Sequence, residues 1–165
     1  MKKIVSTLLV ASAVASSIFA KEVVTDVHIG GASSKVLDKD STEYNIGYGV
    51  TSYSDNNIYF GISFDLSYGE IELLNKNLNV YSYSADGKLG YAFFDKKLGA
   101  YGIVSGMYQS IDSLNGSGFG YGAGIDYRIT DHIAINLEYK TYDMKSDKIP
   151  DYTHERVISN IKFTF

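Results

Sequence analysis

Three histidines and no cysteine bound the nucleophilic or metal chemistry open to this 165-residue chain. His28 follows Asp26 by two residues, and a carboxylate beside an imidazole can begin a metal pair or orient a base. Two polar side chains on one strand face more simply hydrogen-bond each other. His154 precedes Ser159, and a histidine-activated serine backed by an acid would cleave acyl esters. Five residues apart on an extended chain, these two point to opposite faces, and no serine stands two residues after any histidine. His132 falls in a short turn. Gly120–Gly124 reads GYGAG, which imitates a nucleotide-binding loop, but no helical period follows it. DKD at 38–40 and DMKSDKIPD at 143–151 could attract a cation or a partner, and solvated loop charge accounts for them as well.

The remaining ionisable residues only make sense with the elements that place them. Ile58–Tyr68 reads IYFGISFDLSY, with Ile58, Phe60, Ile62, Phe64, Leu66 and Tyr68 on one face and Gly61, Ser63 and Asp65 on the other. That period of two predicts a strand with one apolar and one small, polar face. The same alternation recurs over Val23–Ala32, Thr42–Ser52, Val80–Phe93, Phe119–Ile129, Ile133–Tyr142 and Glu155–Phe165. Leu98–Ser110 is an eighth segment whose facing is ambiguous. None contains proline. The connections 53–57, 94–97 and 130–132 are short, and 33–41, 69–79, 111–118 and 143–154 read as longer and polar. An even number of strands joined in this way predicts an all-β, eight-stranded antiparallel up-and-down barrel, either a soluble barrel of lipocalin type or a transmembrane barrel with four longer extracellular loops and three short periplasmic turns.

The two faces decide which side meets water. Gly47, Gly49, Gly61, Gly90, Gly120, Gly122 and Gly124 all share the polar face, where a narrow eight-strand lumen needs small side chains. The other face is crowded with Tyr, Phe, Ile and Leu, too bulky for so small a barrel to enclose. Asp26, Glu43, Asp65, Asp86, Lys88, Asp126, Arg128, Glu138, Lys140, Arg156 and Lys162 also share the polar face. Basic groups facing mid-membrane lipid cost up to about 2–4 kcal/mol each. The set would therefore exceed the stability of a whole domain if it faced lipid. These residues are expected inside, as a paired structural network, with Asp86–Lys88 and Asp126–Arg128 joined by Glu138, Lys140 and Arg156. A strand of ten residues tilted near 45° spans roughly 23 Å, close to an apolar band of about 25 Å. Tyr44, Tyr53, Tyr68, Tyr81 and Tyr108 fall near segment ends, as interfacial girdles require.

The chain opens MKKIVSTLLVASAVASSIFA, two lysines before an apolar run and then small residues, the pattern of an export signal. Residues 1–20 are expected to be that signal, and 21–165 one barrel domain. Removing Lys2 and Lys3 from the 15 basic residues leaves 13 against 19 acidic ones, a mature charge of about −6, which disfavours nucleic-acid binding. Without cysteine, folding needs no oxidation.

GYGAGIDYRITDHIAINLEYKTYD, residues 120–143, resembles the glycine-rich strand, short turn and Glu-Tyr strand of small OmpA-like and opacity-type outer-membrane barrels. The ending NIKFTF resembles their assembly signal, with Phe165 terminal and Phe163 and Ile161 alternating before it, though the last strand lacks the glycine often found there. The resemblance implies insertion by the barrel assembly machinery into a Gram-negative outer membrane, with both chain ends periplasmic. It implies no cell-wall tether, since no peptidoglycan-binding sequence follows the barrel. The expected protein is a monomer in outer-membrane lipid with no cofactor, metal or catalytic site. Its role would be structural, in envelope integrity, or porin-like. The alternatives are a surface adhesin of opacity type and, below it, a lipid A-modifying barrel enzyme.

Overall fold

The computed structural model describes residues 22–36, 39–73, 76–112, 114–146, 148 and 150–165. The expected leader and Lys21 lie outside them. Eight strands follow in order: β1 (Glu22–Val36), β2 (Lys39–Tyr53), β3 (Ile58–Leu73), β4 (Lys76–Phe93), β5 (Leu98–Ile111), β6 (Leu114–Arg128), β7 (Ile133–Ser146) and β8 (Tyr152–Thr164). Each pairs antiparallel with its neighbours, and β1 closes on β8 from Asp26–Thr164 to Val36–His154. Closure satisfies the backbone along the whole wall and leaves no edge, the condition for a sheet to stand in hydrocarbon.

The alternation read from seven segments is the facing observed. Ile29, Ile46, Leu66, Tyr83, Ile125, Ile135 and Val157 are exposed on the outer wall, and the polar set points inward. β5, whose facing the sequence leaves open, turns Tyr101, Ile103, Ser105, Met107, Gln109 and Ile111 inward, and Ala100, Gly102, Val104, Gly106 and Tyr108 outward. Its neighbours explain the choice. A Cβ at Gly124 would lie 2.6 Å from Cζ of Tyr101, and one at Gly90 would lie 2.6 Å from Tyr101 Cβ and 2.7 Å from Tyr59 Cζ. The inward glycines of β4 and β6 are slots for lumenal tyrosine rings.

The expected longer loops are not where the sequence places them. The β1–β2 ladder runs through Ser33–Thr42 to Val36–Lys39, and the β3–β4 ladder through Gly69–Val80 to Leu73–Lys76. β5 and β6 pair up to Ile111–Leu114, and β7 continues to Ser146. The connections at this end shrink to 37–38, 74–75, 112–113 and 147–151, while the opposite turns, 54–57, 94–97 and 129–132, have four residues each. The physical reason is inside the barrel. Val36, Ile71, Val80 and Ile111 face inward in these extensions and bury one another, with Leu78, Leu114 and Tyr152 packed against them. Polar outer faces hide that apolar inner row from a reading that takes polarity as loop. Fourteen residues, the length of β5, tilted near 45° rise about 33 Å, so the ladders stand clear of an apolar band of about 25 Å.

Glycine slots and bare outer glycines make opposite demands. Gly124→Ala is expected to lower folding stability by about 1–3 kcal/mol through overpacking on Tyr101. Gly102→Ala, whose Cβ would meet nothing within 4 Å, is expected to be neutral or slightly stabilising. Urea titration followed by heat-modifiable gel mobility measures both.

Candidate functional site

In the lumen, charged and histidine side chains from every strand but β5 converge. β1 supplies Asp26 and His28, β2 Glu43, β3 Asp65, β4 Asp86 and Lys88, β6 Asp126 and Arg128, β7 Glu138 and Lys140, and β8 His154, Arg156 and Lys162. Period-two alternation puts them all on one face, and curvature brings that face into contact with itself. Asp26, Glu43, Asp65, Asp86, Glu138, Lys140 and Arg156 are buried, and Lys88, Asp126, Arg128 and Lys162 are half-buried towards the end that carries both chain termini. Ile161, Phe163 and Phe165 lie on the outer surface of the final strand and terminus.

The partners differ from those expected. Lys140 bonds Asp86 and also lies 2.9 Å from Glu138. Lys88 lies 2.5 Å from the other Glu138 oxygen. Arg156 donates to Glu43 at 3.0 Å and to Ser67 at 2.6 Å. Lys162 bridges Asp26 at 3.4 Å and Asp126 at 3.6 Å. Neither same-strand pair, Asp86–Lys88 or Asp126–Arg128, forms. The closed lumen offers other partners: Lys140 reaches Asp86 from across it as well as Glu138 two residues before it on its own strand, and Lys162 takes both Asp26 and Asp126.

His28 is held between two acids, its Nδ1 2.7 Å from Asp26 and its Nε2 2.9 Å from Asp65. Both nitrogens can donate only as the imidazolium. Counted so, the lumen balances six acids against six cations, where the sequence set alone gave six against five. The arrangement also occupies both nitrogens, which leaves no lone pair for a metal. His154, expected in a loop, is buried in β8, 3.2 Å from Gln109 and 3.6 Å from Glu43, with its ring beside Tyr142. Ser159 faces outward on the same strand, so the wall of the barrel separates it from His154. Ser34 donates to Glu43 rather than to a histidine. None of these serines is set up as a nucleophile.

Neutral groups that the sequence reading missed join the ions into one network. Tyr101 donates to Glu138 at 2.8 Å and receives a bond from Asn136, which also donates to Asp126 at 3.1 Å. Ser105 donates to Asp86 at 2.5 Å and meets Tyr142 at 3.0 Å. Gln109 links His154, Ser82 and, at 2.9 Å, Tyr152. The signal for Asn136 and His154 was present, since both share parity with the charged inward positions of their strands. For β5 no such signal exists. Above the network sits the Val36–Ile71–Val80–Ile111 cluster, and near the terminal end Tyr59, Ala92, Tyr101 and Ile103 pack together, with Tyr53 against them.

A closed eight-strand barrel with a greasy exterior and a neutralised ionic interior is a transmembrane barrel. The chain belongs to the outer membrane protein beta-barrel domain family, whose model matches residues 4–164. Solved structures of the same fold include the attachment invasion locus protein Ail of Yersinia pestis, 17% identical over 87% of this chain and 99% of that one, with a TM-score of 0.59. Neisserial surface protein A matches at 12% identity over 87% and 97%, with a TM-score of 0.55. The N-terminal barrel domain of OprF from Pseudomonas aeruginosa matches at 17% over 86% and 97%, with a TM-score of 0.53. No curated protein sequence matches the chain.

Removing one member of a buried ion cluster strands the others. Lys140→Met leaves Asp86 and Glu138 facing each other and is expected to cost about 3–5 kcal/mol of folding stability. Glu22→Gln breaks only the exposed pair with Lys96 and is expected to cost less than about 1 kcal/mol. Urea unfolding in detergent micelles separates the two outcomes.

Proposed function

We propose that the protein is a non-conducting structural barrel of the outer membrane, contributing to envelope integrity as a monomer. The observation that carries this reading is the filling of the lumen. An apolar plug, a hydrogen-bonded ion network and a layer of tyrosines succeed one another along the axis. An ion entering would have to part buried paired charges, a cost of several kcal/mol per ion. That is the opposite of a porin, whose interior is an aqueous channel. The same reading has the chain inserted by the barrel assembly machinery through Ile161, Phe163 and Phe165, with outer-membrane lipid as its surrounding partner.

A surface-attachment role is the second reading. Its support is the outward projection of the β1–β2 and β3–β4 ladders, whose exposed positions include Lys39, Asp40, Glu70 and Glu72. The fold shared with Ail, named as an attachment invasion locus protein, is compatible with such a role.

Planar-bilayer recording is expected to show no large, stable conductance from the wild type, and such a conductance would refute the structural reading. Deletion of the gene is expected to raise sensitivity to bile salts. Replacing only 147–151 with a Gly-Ser linker is expected to leave that resistance unchanged. Loss of binding to cultured cells on that replacement, with normal resistance in the deletion strain, would favour attachment. Cutting the whole of 143–154 would not serve, because it removes paired residues of β7 and β8.

A further inference from the structure

One patch of the outer wall lacks the bulky cover found elsewhere. Between the outward Val104 and Tyr108, the outer face of β5 is reduced to Gly106, and β4 sets Ala85 directly beside it. A Cβ at Gly106 would touch only Phe119, at 3.9 Å. Phe64, Tyr83, Tyr108 and Phe119 stand around this floor and enclose a groove of about 690 Å³. Phe119 is 84% exposed, so this wall is open to the surroundings.

The groove changes character along its length. Its floor and sides are hydrocarbon and aromatic. At the end nearer the 112–113 and 147–151 connections it is lined by Ser117, Asp143 and Lys145, with Ser117 paired to Lys145 and Phe119 to Asp143 in the β6–β7 ladder. A hydrocarbon slot with a polar, cationic mouth matches a single amphiphile lying along the barrel. With the chain ends on the periplasmic side, as the reading above has it, that mouth lies at the level of the outer-leaflet head groups.

We infer that this groove seats one acyl chain of a phosphorylated glycolipid of the outer leaflet, with its head group at Lys145, Asp143 and Ser117. The mouth selects the class. Lys145 suits a phosphate, as basic residues at membrane interfaces do. Asp143 beside it would repel a head group that is anionic alone, but accepts hydrogen bonds from the hydroxyls of a sugar. The floor selects a chain over a second barrel. The aromatic rim stands above Ala85 and Gly106, so another wall would bridge the slot and leave it empty, whereas a hydrocarbon chain can enter and bury apolar surface.

Native mass spectrometry of the full barrel from micelles doped with diphosphoryl lipid A, phosphatidylglycerol or phosphatidylcholine tests this. The wild type is expected to retain one lipid A and to release the two phospholipids. Ala85→Leu with Gly106→Leu fills the slot, and occupancy is expected to fall about ten-fold while heat-modifiable mobility stays normal. Lys145→Gln, a surface change, is expected to abolish the preference for diphosphoryl over dephosphorylated lipid A. A Phe119→Trp reporter gives a second measurement should the double leucine variant not fold, since brominated-acyl lipid A should quench it more than brominated phosphatidylcholine. Equal retention of phosphatidylglycerol, unchanged lipid A binding by the filled variant, equal quenching by both lipids, or a wild-type dimer lost on filling would each overturn the inference. Loss of heat-modifiable mobility in the wild type, or a large conductance, would instead count against the closed-barrel reading on which it rests.

Discussion

The constraint on which everything else depends is that the outer face of this wall meets a solvent that can neither hydrogen-bond nor solvate charge. Hydrocarbon forbids unpaired amides, so the sheet must close, and β1 must find β8 across the whole length of the chain. It forbids exposed ions, so every charged side chain along the span must go inside. Once inside, the ions are too crowded to keep separate water, and they must neutralise one another. The Lys140 cluster with Asp86 and Glu138, the Arg156–Glu43 pair and the carboxylate-clamped His28 are the consequence of that sequence of exclusions. Such pairs need not stabilise the barrel relative to an apolar filling, but each is costly to break singly.

Narrowness adds a second requirement. Eight strands leave room for one layer of side chains from each wall. Tyr59, Tyr101 and Tyr142 enter that space only where a facing or neighbouring residue has no Cβ, over Gly90, Gly124 and Gly120. The Tyr101 and Tyr142 rings in turn carry hydroxyls to Glu138 and Ser105, so there the packing and polar problems are solved by the same residues. β5 has a cost on its other side. Bulk turned inward leaves the outer wall bare at Gly106 beside Ala85, and the resulting groove is a by-product of how the lumen is filled.

How much of this was legible differs from residue to residue. Ile29, Leu66 and Ile135 outside, and Asp26, Glu138 and Arg156 inside, follow from alternation alone, because parity is a property of one strand. The plug residues Val36, Ile71 and Ile111 were hidden because their strands carry polar outer positions beyond the membrane, which look like loop, and Val80 stood at the edge of its segment. His154 was misplaced for the same reason. Of the ion partners only same-strand neighbours such as Asp26 and His28 were within reach of the sequence, since Lys140 and Asp86 are 54 residues apart and meet only across the lumen.

The sequence by itself determined the period, the even strand count, the facing of seven strands and the near balance of interior charge, because lipid and lumen impose their demands one residue at a time. Tertiary structure decided the facing of β5, the pairing of the ions, the plug and the outer groove. Those depend on which side chains share the interior at the same height, and height is set by the register of the closed ladder, which no single strand contains.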